Sequence, residues 1–250
     1  MSLLLLAAAG AAAEAPICPD RPGKANAVCT VPAGKIQVEF GALDWTRMDE
    51  GGQRTDVLYV GSTLLKYGLS DRTDIELNVS PYVWVRSEGQ SISGAGDVVV
   101  RVKQRLTGDD APVQVALIPF IKLPTAKHGI GNRKWEGGLA ATASFDIGGG
   151  VSATLGPEVD VLADGDGRGS HAAIVNVLSL SGAIAPRLSL SGELWSNFEL
   201  DPAGTVRQAS ADAALAYAVN DRLQLDGGVN VGLTNETPDL ELYTGVSLRF

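Results

Sequence analysis

The sequence predicts an all-β protein, a closed antiparallel up-and-down transmembrane β-barrel of about 12 strands. Three observations point there. Apolar and polar residues alternate with a period of two through most of the chain, connections alternate between short turns and longer loops, and aromatic residues recur at strand ends on the apolar face. Beyond the N-terminus no run is long and apolar enough for a transmembrane helix.

The alternation is plainest in three places. Asp97, Val99, Arg101, Lys103 and Arg105 point one way, while Val98, Val100, Val102 and Leu106 point the other. Ile75, Leu77, Val79, Val83 and Val85 oppose Asp74, Glu76, Asn78 and Arg86, and Val151, Ala153, Leu155, Val159 and Val161 oppose Ser152, Thr154, Glu158 and Asp160. One charge-free face repeating every second residue is a strand signature. The pattern predicts strands near 35–44, 56–68, 73–86, 96–106, 112–123, 135–147, 151–163, 170–185, 188–199, 207–219, 223–233 and 240–250. Short turns fall at 69–72, 107–111, 148–150, 186–187 and 220–222, and longer loops at 45–55, 87–95, 124–134, 164–169, 201–206 and 234–239. Short turns on one rim and long loops on the other are expected of an outer-membrane barrel with both termini in the periplasm.

A weak internal repeat agrees: Tyr67-Gly-Leu-Ser-Asp71-Arg72 resembles Tyr217-Ala-Val-Asn-Asp221-Arg222. Tyr67, Phe145, Tyr217 and Phe250 lie on the apolar face at the short-turn end, and Trp135 and Phe198 lie on it at the long-loop end. Two such rings predict membrane girdles, where amphipathic rings meet headgroups. Trp45, Trp84 and Trp195 fall in the polar phase and are expected to face lumen or loops. Pro81, Pro119 and Pro157 cannot donate to a ladder and predict bulges; the sharper alternative is a weakened wall that lets a hydrophobic solute leave sideways.

Residues 1–13 read as a signal peptide, with Leu3–Leu6 as its apolar core and Ala11 and Ala13 at a cleavage site, although no Lys or Arg precedes the leucines. Residues 14–34 then form a periplasmic segment whose only two cysteines, Cys18 and Cys29, are expected to pair in an oxidising compartment. The barrel proper is expected over 35–250. Thirty glycines exceed the usual share of about 7%, and a formal charge of −9 argues against nucleic-acid binding.

Some of these residues also carry a resemblance. Cys18-Pro-Asp-Arg-Pro-Gly-Lys-Ala-Asn-Ala-Val-Cys29, Gly34-Lys-Ile-Gln-Val-Glu39, Tyr67-Gly-Leu-Ser-Asp-Arg72, Gly94-Ala-Gly-Asp97 and Phe120-Ile-Lys-Leu-Pro-Thr125 resemble the outer-membrane transporter-like barrels of the phenol-degradation MetA-pathway family. The resemblance implies a barrel of the bacterial outer membrane that passes hydrophobic or aromatic compounds.

The polar phases supply a candidate lumen: Glu76, Asp97, Arg101, Lys103, Arg105, Glu136, Glu158, Asp160, Glu193, Asp212, Asp226, Glu241 and Arg249. Opposed charges across a bore select solutes by charge and dipole, or else lock the bore shut with ion pairs. Lys122, Lys127, His128, Arg133 and Lys134 make a basic loop that would constrict the pore or meet lipopolysaccharide phosphates. Asp164-Gly-Asp-Gly-Arg-Gly169 lacks the regular ligands of a calcium loop and reads as a glycine-rich turn, so no metal is assigned. Ser170 and His171 are adjacent and therefore face opposite ways, and no nucleophile elbow or phosphate loop occurs.

The expectation is a non-enzymatic barrel, without cofactor, for passive uptake of small, hydrophobic or aromatic compounds. Its partners are outer-membrane lipid, lipopolysaccharide and the barrel assembly machinery, which the ending on Phe250 suits. The alternatives are a structural or adhesive barrel with a closed lumen, an outer-membrane lipase-like enzyme, and a soluble β-sandwich or lipocalin-like binder.

Overall fold

All strand pairings are antiparallel, and the first strand pairs with the last as well as with the second. The structure, a computed structural model, describes residues 16–250; the expected signal peptide and Glu14 lie outside the described residues. The segments are β1 Ile36–Glu50, β2 Gln53–Ser70, β3 Thr73–Val79, β4 Tyr82–Ser87, β5 Gln90–Gly94, β6 Val98–Arg105 and β7 Val113–Leu123. They continue with β8 Glu136–Gly148, β9 Val151–Ala163, β10 Ser170–Ala185, β11 Leu188–Glu199, β12 Val206–Asn220, β13 Leu223–Gly232 and β14 Leu240–Arg249. β3 and β4 both pair with β2 and form one interrupted strand; β5 and β6 form another against them. Counted so, the wall is a closed barrel of twelve strands, because β1 is bonded to both β14 and β2.

The wall is inside-out by the standard of a water-soluble core. Ile75, Leu155, Val159, Ile174, Leu194 and Leu215 are exposed, whereas Lys66, Glu76 and Lys103 are fully buried. Lipid, not water, is the solvent of that outer face, and closure leaves no unpaired strand edge within it. The expected girdle residues stand on it: Tyr67, Tyr217, Phe250, Trp135 and Phe198 are exposed, and Phe145 is half-buried.

Two expected long loops are tight hairpins instead. The segment 45–55 is strand apart from Gly51-Gly52, and in 87–95 only Glu88-Gly89 and Ala95 lie outside strands. Both residues of each turn have positive φ, the geometry whose twist matches two right-twisted strands. The loops looked long because polar residues occupy these strand tips, where the wall no longer meets lipid.

Bulges correct the expected facing of two tryptophans. The β1–β14 register shifts between Gly41 and Leu43, and an extra residue exchanges the two faces of everything beyond it. Trp45 therefore pairs with Leu242 and Leu58, and Leu58 with Trp84, in one row on the outer face. Trp195 remains inside.

Of the prolines, Pro81 separates β3 from β4. Pro119 and Pro157 stay in register with Leu139 and Asn176 on one side. On the other side the ladder skips two pairs, between Arg101↔Phe120 and Gln104↔Leu117, and between Ala140↔Glu158 and Ala143↔Leu155, with the register kept.

Candidate lumen and its N-terminal plug

Residues 16–34, expected to stand outside the barrel, run through its interior. The chain enters at the short-turn rim, where the Ile17 amide donates to the Asp221 carbonyl (2.8 Å) and Arg249 donates to the Pro16 carbonyl (3.1 Å). It returns to the same rim, where Thr30 Oγ1 donates to the Asp71 carbonyl (2.8 Å) and the Val31 amide to Asp74 (3.0 Å). The Cys18–Cys29 disulfide ties the two limbs of this re-entrant loop together. Gly68 makes the return possible: a Cβ there would lie 2.3 Å from the Pro32 carbonyl oxygen.

The physical cause is charge. An inner wall of carboxylates and ammonium groups cannot be left dry and unpaired, and the segment brings complementary groups. Asp20 meets Lys103 Nζ at 2.5 Å, Lys66 Nζ at 2.8 Å and Arg101 Nη2 at 3.3 Å. Lys66 also meets Glu39 at 2.7 Å, and Arg101 meets Glu76 at 2.8 Å. The Asp20 and Arg21 amides both donate to Glu39 Oε2 at 2.9 Å. Burial would raise the Asp20 carboxyl, but Lys103, Lys66 and Arg101 hold it well below the usual carboxylate range.

Across the bore the anchors change sign. Arg21 makes a two-nitrogen contact to Asp226 (2.8 and 3.1 Å). Lys24 donates to Ser210 Oγ at 2.8 Å, pairs with Asp212 at 3.1 Å, and stands 4.7 Å from the Trp195 ring centroid. The Lys24 amide donates to Glu193 at 2.7 Å.

Of the residues expected to line the lumen, Glu76, Arg101, Lys103, Glu193, Asp212, Asp226 and Arg249 thus converge on the segment or on its partners. Asp97 and Glu136 gather around Lys122 at the outer rim, at 3.3 and 2.6 Å. Glu158 and Asp160 face inward on β9, and Glu241 accepts from Asn230 at 2.6 Å. Arg105 sits at the short-turn rim, bonded to Asp109 and to the Asp71 carbonyl. In the basic loop, Lys127 donates to the Ser93 carbonyl (2.6 Å) and Lys134 to the Gly167 carbonyl (2.8 Å), while His128 and Arg133 are exposed. His171 faces inward and Ser170 and Asn176 outward, so they form no triad.

Sequence reasoning missed Glu39, Lys66 and Asp74, and above all Asp20, Arg21 and Lys24. The signal was present: three charges within a short proline- and glycine-bearing segment beside a wall rich in opposite charges.

The charged groups that grip the segment sit on β1–β3, β6 and β11–β14. Beside it β7–β10 turn Ala140, Thr142, Ser144, Thr154 and Ser179 inward, and their own inward charges, Lys122, Glu136, Glu158 and Asp160, lie toward the long-loop rim. A cavity of about 340 Å³ lies between the segment and Ser144, Ser152, Thr154, Ser179 and Ser181. A second cavity, of about 210 Å³, lies above Lys24 and is walled by Trp195, Gln208, Asn230 and Pro238.

The profile of the family described as the putative MetA-pathway of phenol degradation matches residues 19–250. The fold is similar to the COG4313 outer membrane channel from Pseudomonas putida F1, with 17% identity, 92% of this chain and 99% of that chain covered, and a TM-score of 0.68. It is also similar to the NanC porin (11%, 85% and 98%, TM-score 0.56) and to the translocator domain of the autotransporter NalP from Neisseria meningitidis (11%, 88% and 90%, TM-score 0.55). No curated protein matches.

Proposed function

We propose a transport role on the premise that the chain belongs to the family described as the putative MetA-pathway of phenol degradation. It is an outer-membrane β-barrel, similar in fold to channels and porins. Its role in this reading is passive uptake of small hydrophobic compounds, single-ring aromatics first among them. The observation that carries the reading is the Trp195 cavity. At about 210 Å³ it is of a size for one ring, with an indole and Pro238 for the apolar face and Gln208 and Asn230 for a polar substituent, the usual division of labour in a small-molecule site. The hydroxyl-lined cavity along β8–β10 offers the onward path past the segment.

Proteoliposomes loaded with a phenol-sensing dye test this. Trp195→Ala should slow entry of phenol several-fold while leaving entry of a small sugar unchanged. Equal entry of phenol with and without Trp195 would sink the reading.

A second reading, a closed structural or adhesive barrel, is favoured by the depth at which Asp20 is clasped. Single-channel recording of the wild type separates the two, since a closed barrel conducts nothing. The basic loop, in the same proposal, faces lipopolysaccharide phosphates rather than the bore.

A further inference from the structure

Two outer loops meet at a group that transport leaves unused. Asp164 lies in the loop between β9 and β10, His171 begins β10 on its inward face, and Asp201 follows β11. His171 Nδ1 stands 3.0 Å from Asp164 Oδ1 and 3.6 Å from Asp201 Oδ2. One ligand atom from each residue lies within 4.8 Å of the other two, the one such convergence among the described residues. We propose that Asp164, His171 and Asp201 form a binding site for a divalent transition-metal ion, of the zinc class, that pins the β9–β10 loop to the β11–β12 loop at the outer mouth.

Four features carry this. The spacing is close: atoms bound at about 2.0–2.2 Å to one ion in a tetrahedron stand roughly 3.3–3.6 Å apart, so the 3.6 Å pair matches and the 3.0 Å pair needs only a small opening. The His171 side chain is 5% exposed, so its ring cannot turn freely to water. A neutral imidazole has at most one N–H at Nδ1 and can serve only one of the two carboxylates; with the proton on Nε2 it turns a lone pair toward both. Nε2 has no protein partner, so the ring's only protein hydrogen bond is the Nδ1 contact to Asp164, and an ion bound there would displace the Nδ1 proton to solvent or to Nε2.

Asp201 is preset as an anion. The Ala203 and Gly165 amides each donate to it at 2.8 Å and hold its carboxyl below the usual range. Those bonds fix its orientation, as outer-shell partners do for metal ligands. The class follows from the donors. Imidazole with two carboxylates suits zinc, cobalt or nickel, whereas calcium takes six or more oxygens, which three residues do not supply.

The test uses the folded, chelator-treated barrel in detergent, its folding checked by heat-modifiable migration. Calorimetric titration with Zn²⁺ should show one site, and Co²⁺ should give a visible absorption band. Asp201→Asn and His171→Ala should each weaken Zn²⁺ binding by about tenfold or more and remove the cobalt band, with Ca²⁺ giving no comparable heat in any of them. Asp201→Asn lies in a loop and keeps the size of the side chain, so it reports even where His171→Ala does not fold. Zn²⁺ binding of equal strength in wild type and Asp201→Asn, or no binding to wild type, would overturn the proposal. So would calcium binding as tightly as zinc.

Discussion

Asp20→Asn should release the plug. Asp20, Glu39 and Glu76 face Lys66, Lys103 and Arg101, three anions against three cations. The substitution leaves one cation in excess in a site where Lys66 and Lys103 are wholly buried. Removing one partner of a buried ion pair costs about 3–5 kcal/mol. Glu39 and Glu76 still serve Lys66 and Arg101, so the lower end, about 3 kcal/mol, is the fair figure for the loss in docking. At 1.4 kcal/mol per tenfold, that shifts the balance between docked and undocked segment by roughly 100-fold. Planar-bilayer recording reads it directly: Asp20→Asn should show frequent large openings that are rare in the wild type. A folded Asp20→Asn barrel with wild-type conductance and opening frequency would refute the claim that these ion pairs hold the segment in the bore.

Three further outcomes follow from the same arrangement. Replacing both Cys18 and Cys29 by serine removes a link across 11 residues, worth about 3 kcal/mol on the loop-entropy estimate; limited proteolysis should cut residues 16–34 faster while the barrel stays intact. The depressed Asp20 value gives a stabilisation that is complete above the unfolded carboxyl value of about 3.9 and is lost only as pH falls through the lower folded one. Conductance should therefore hold steady from pH 7 to about 4.5, and openings that appear by pH 5 would contradict it. Ser179, 6% exposed on the hydroxyl-lined wall, should on replacement by Phe slow solute-driven liposome swelling several-fold without freeing the segment from protease protection.

The barrel was legible because its rule is local. Alternate residues of Thr73–Val79 or Val206–Asn220 must satisfy lipid on one side and a polar lumen on the other, and that constraint is written residue by residue. Where an extra residue enters, at Ala42 or around Pro81, the rule inverts. Trp45 and Trp84 were assigned the wrong face because nothing marks the bulge at Ala42, and because Pro81 announces an irregularity without saying that the faces exchange beyond it. The hairpins at Gly51-Gly52 and Glu88-Gly89 were hidden for a related reason: beyond the bilayer the outer face carries no apolar signature. The plug was illegible in another way. Arg21 and Asp226 are 205 residues apart, and no periodicity connects them. Only a balance of charge between wall and segment points to their contact, and that balance names no pairs.

The proposed path past the plug rests on the distribution of charge around the bore. If all twelve strands set charges against the segment, it would be met on every side and the lumen would close as a salt-bridged core. Instead Asp20 binds the β1–β6 wall and Arg21 and Lys24 bind β11–β13, while Thr142 on β8 offers one hydroxyl to the Asn26 carbonyl (2.7 Å). The β7–β10 wall presents Ala116, Ala140, Thr142, Ser144, Thr154 and Ser179, which are too short to reach across. Charge fixes the segment to two-thirds of the circumference; over the remaining third it meets mainly small side chains, with Glu158 and Asp160 lying farther toward the outer rim. The Pro119 and Pro157 interruptions fall in that same third. Their registers are preserved, so the wall there has lost hydrogen bonds but not its closure. In the proposed transport reading, a solute moving along β7–β10 passes Glu158 and Asp160 toward the outer rim and then hydroxyls and the edge of the plug, and none of the ion pairs that hold Asp20, Arg21 and Lys24 lies on those strands.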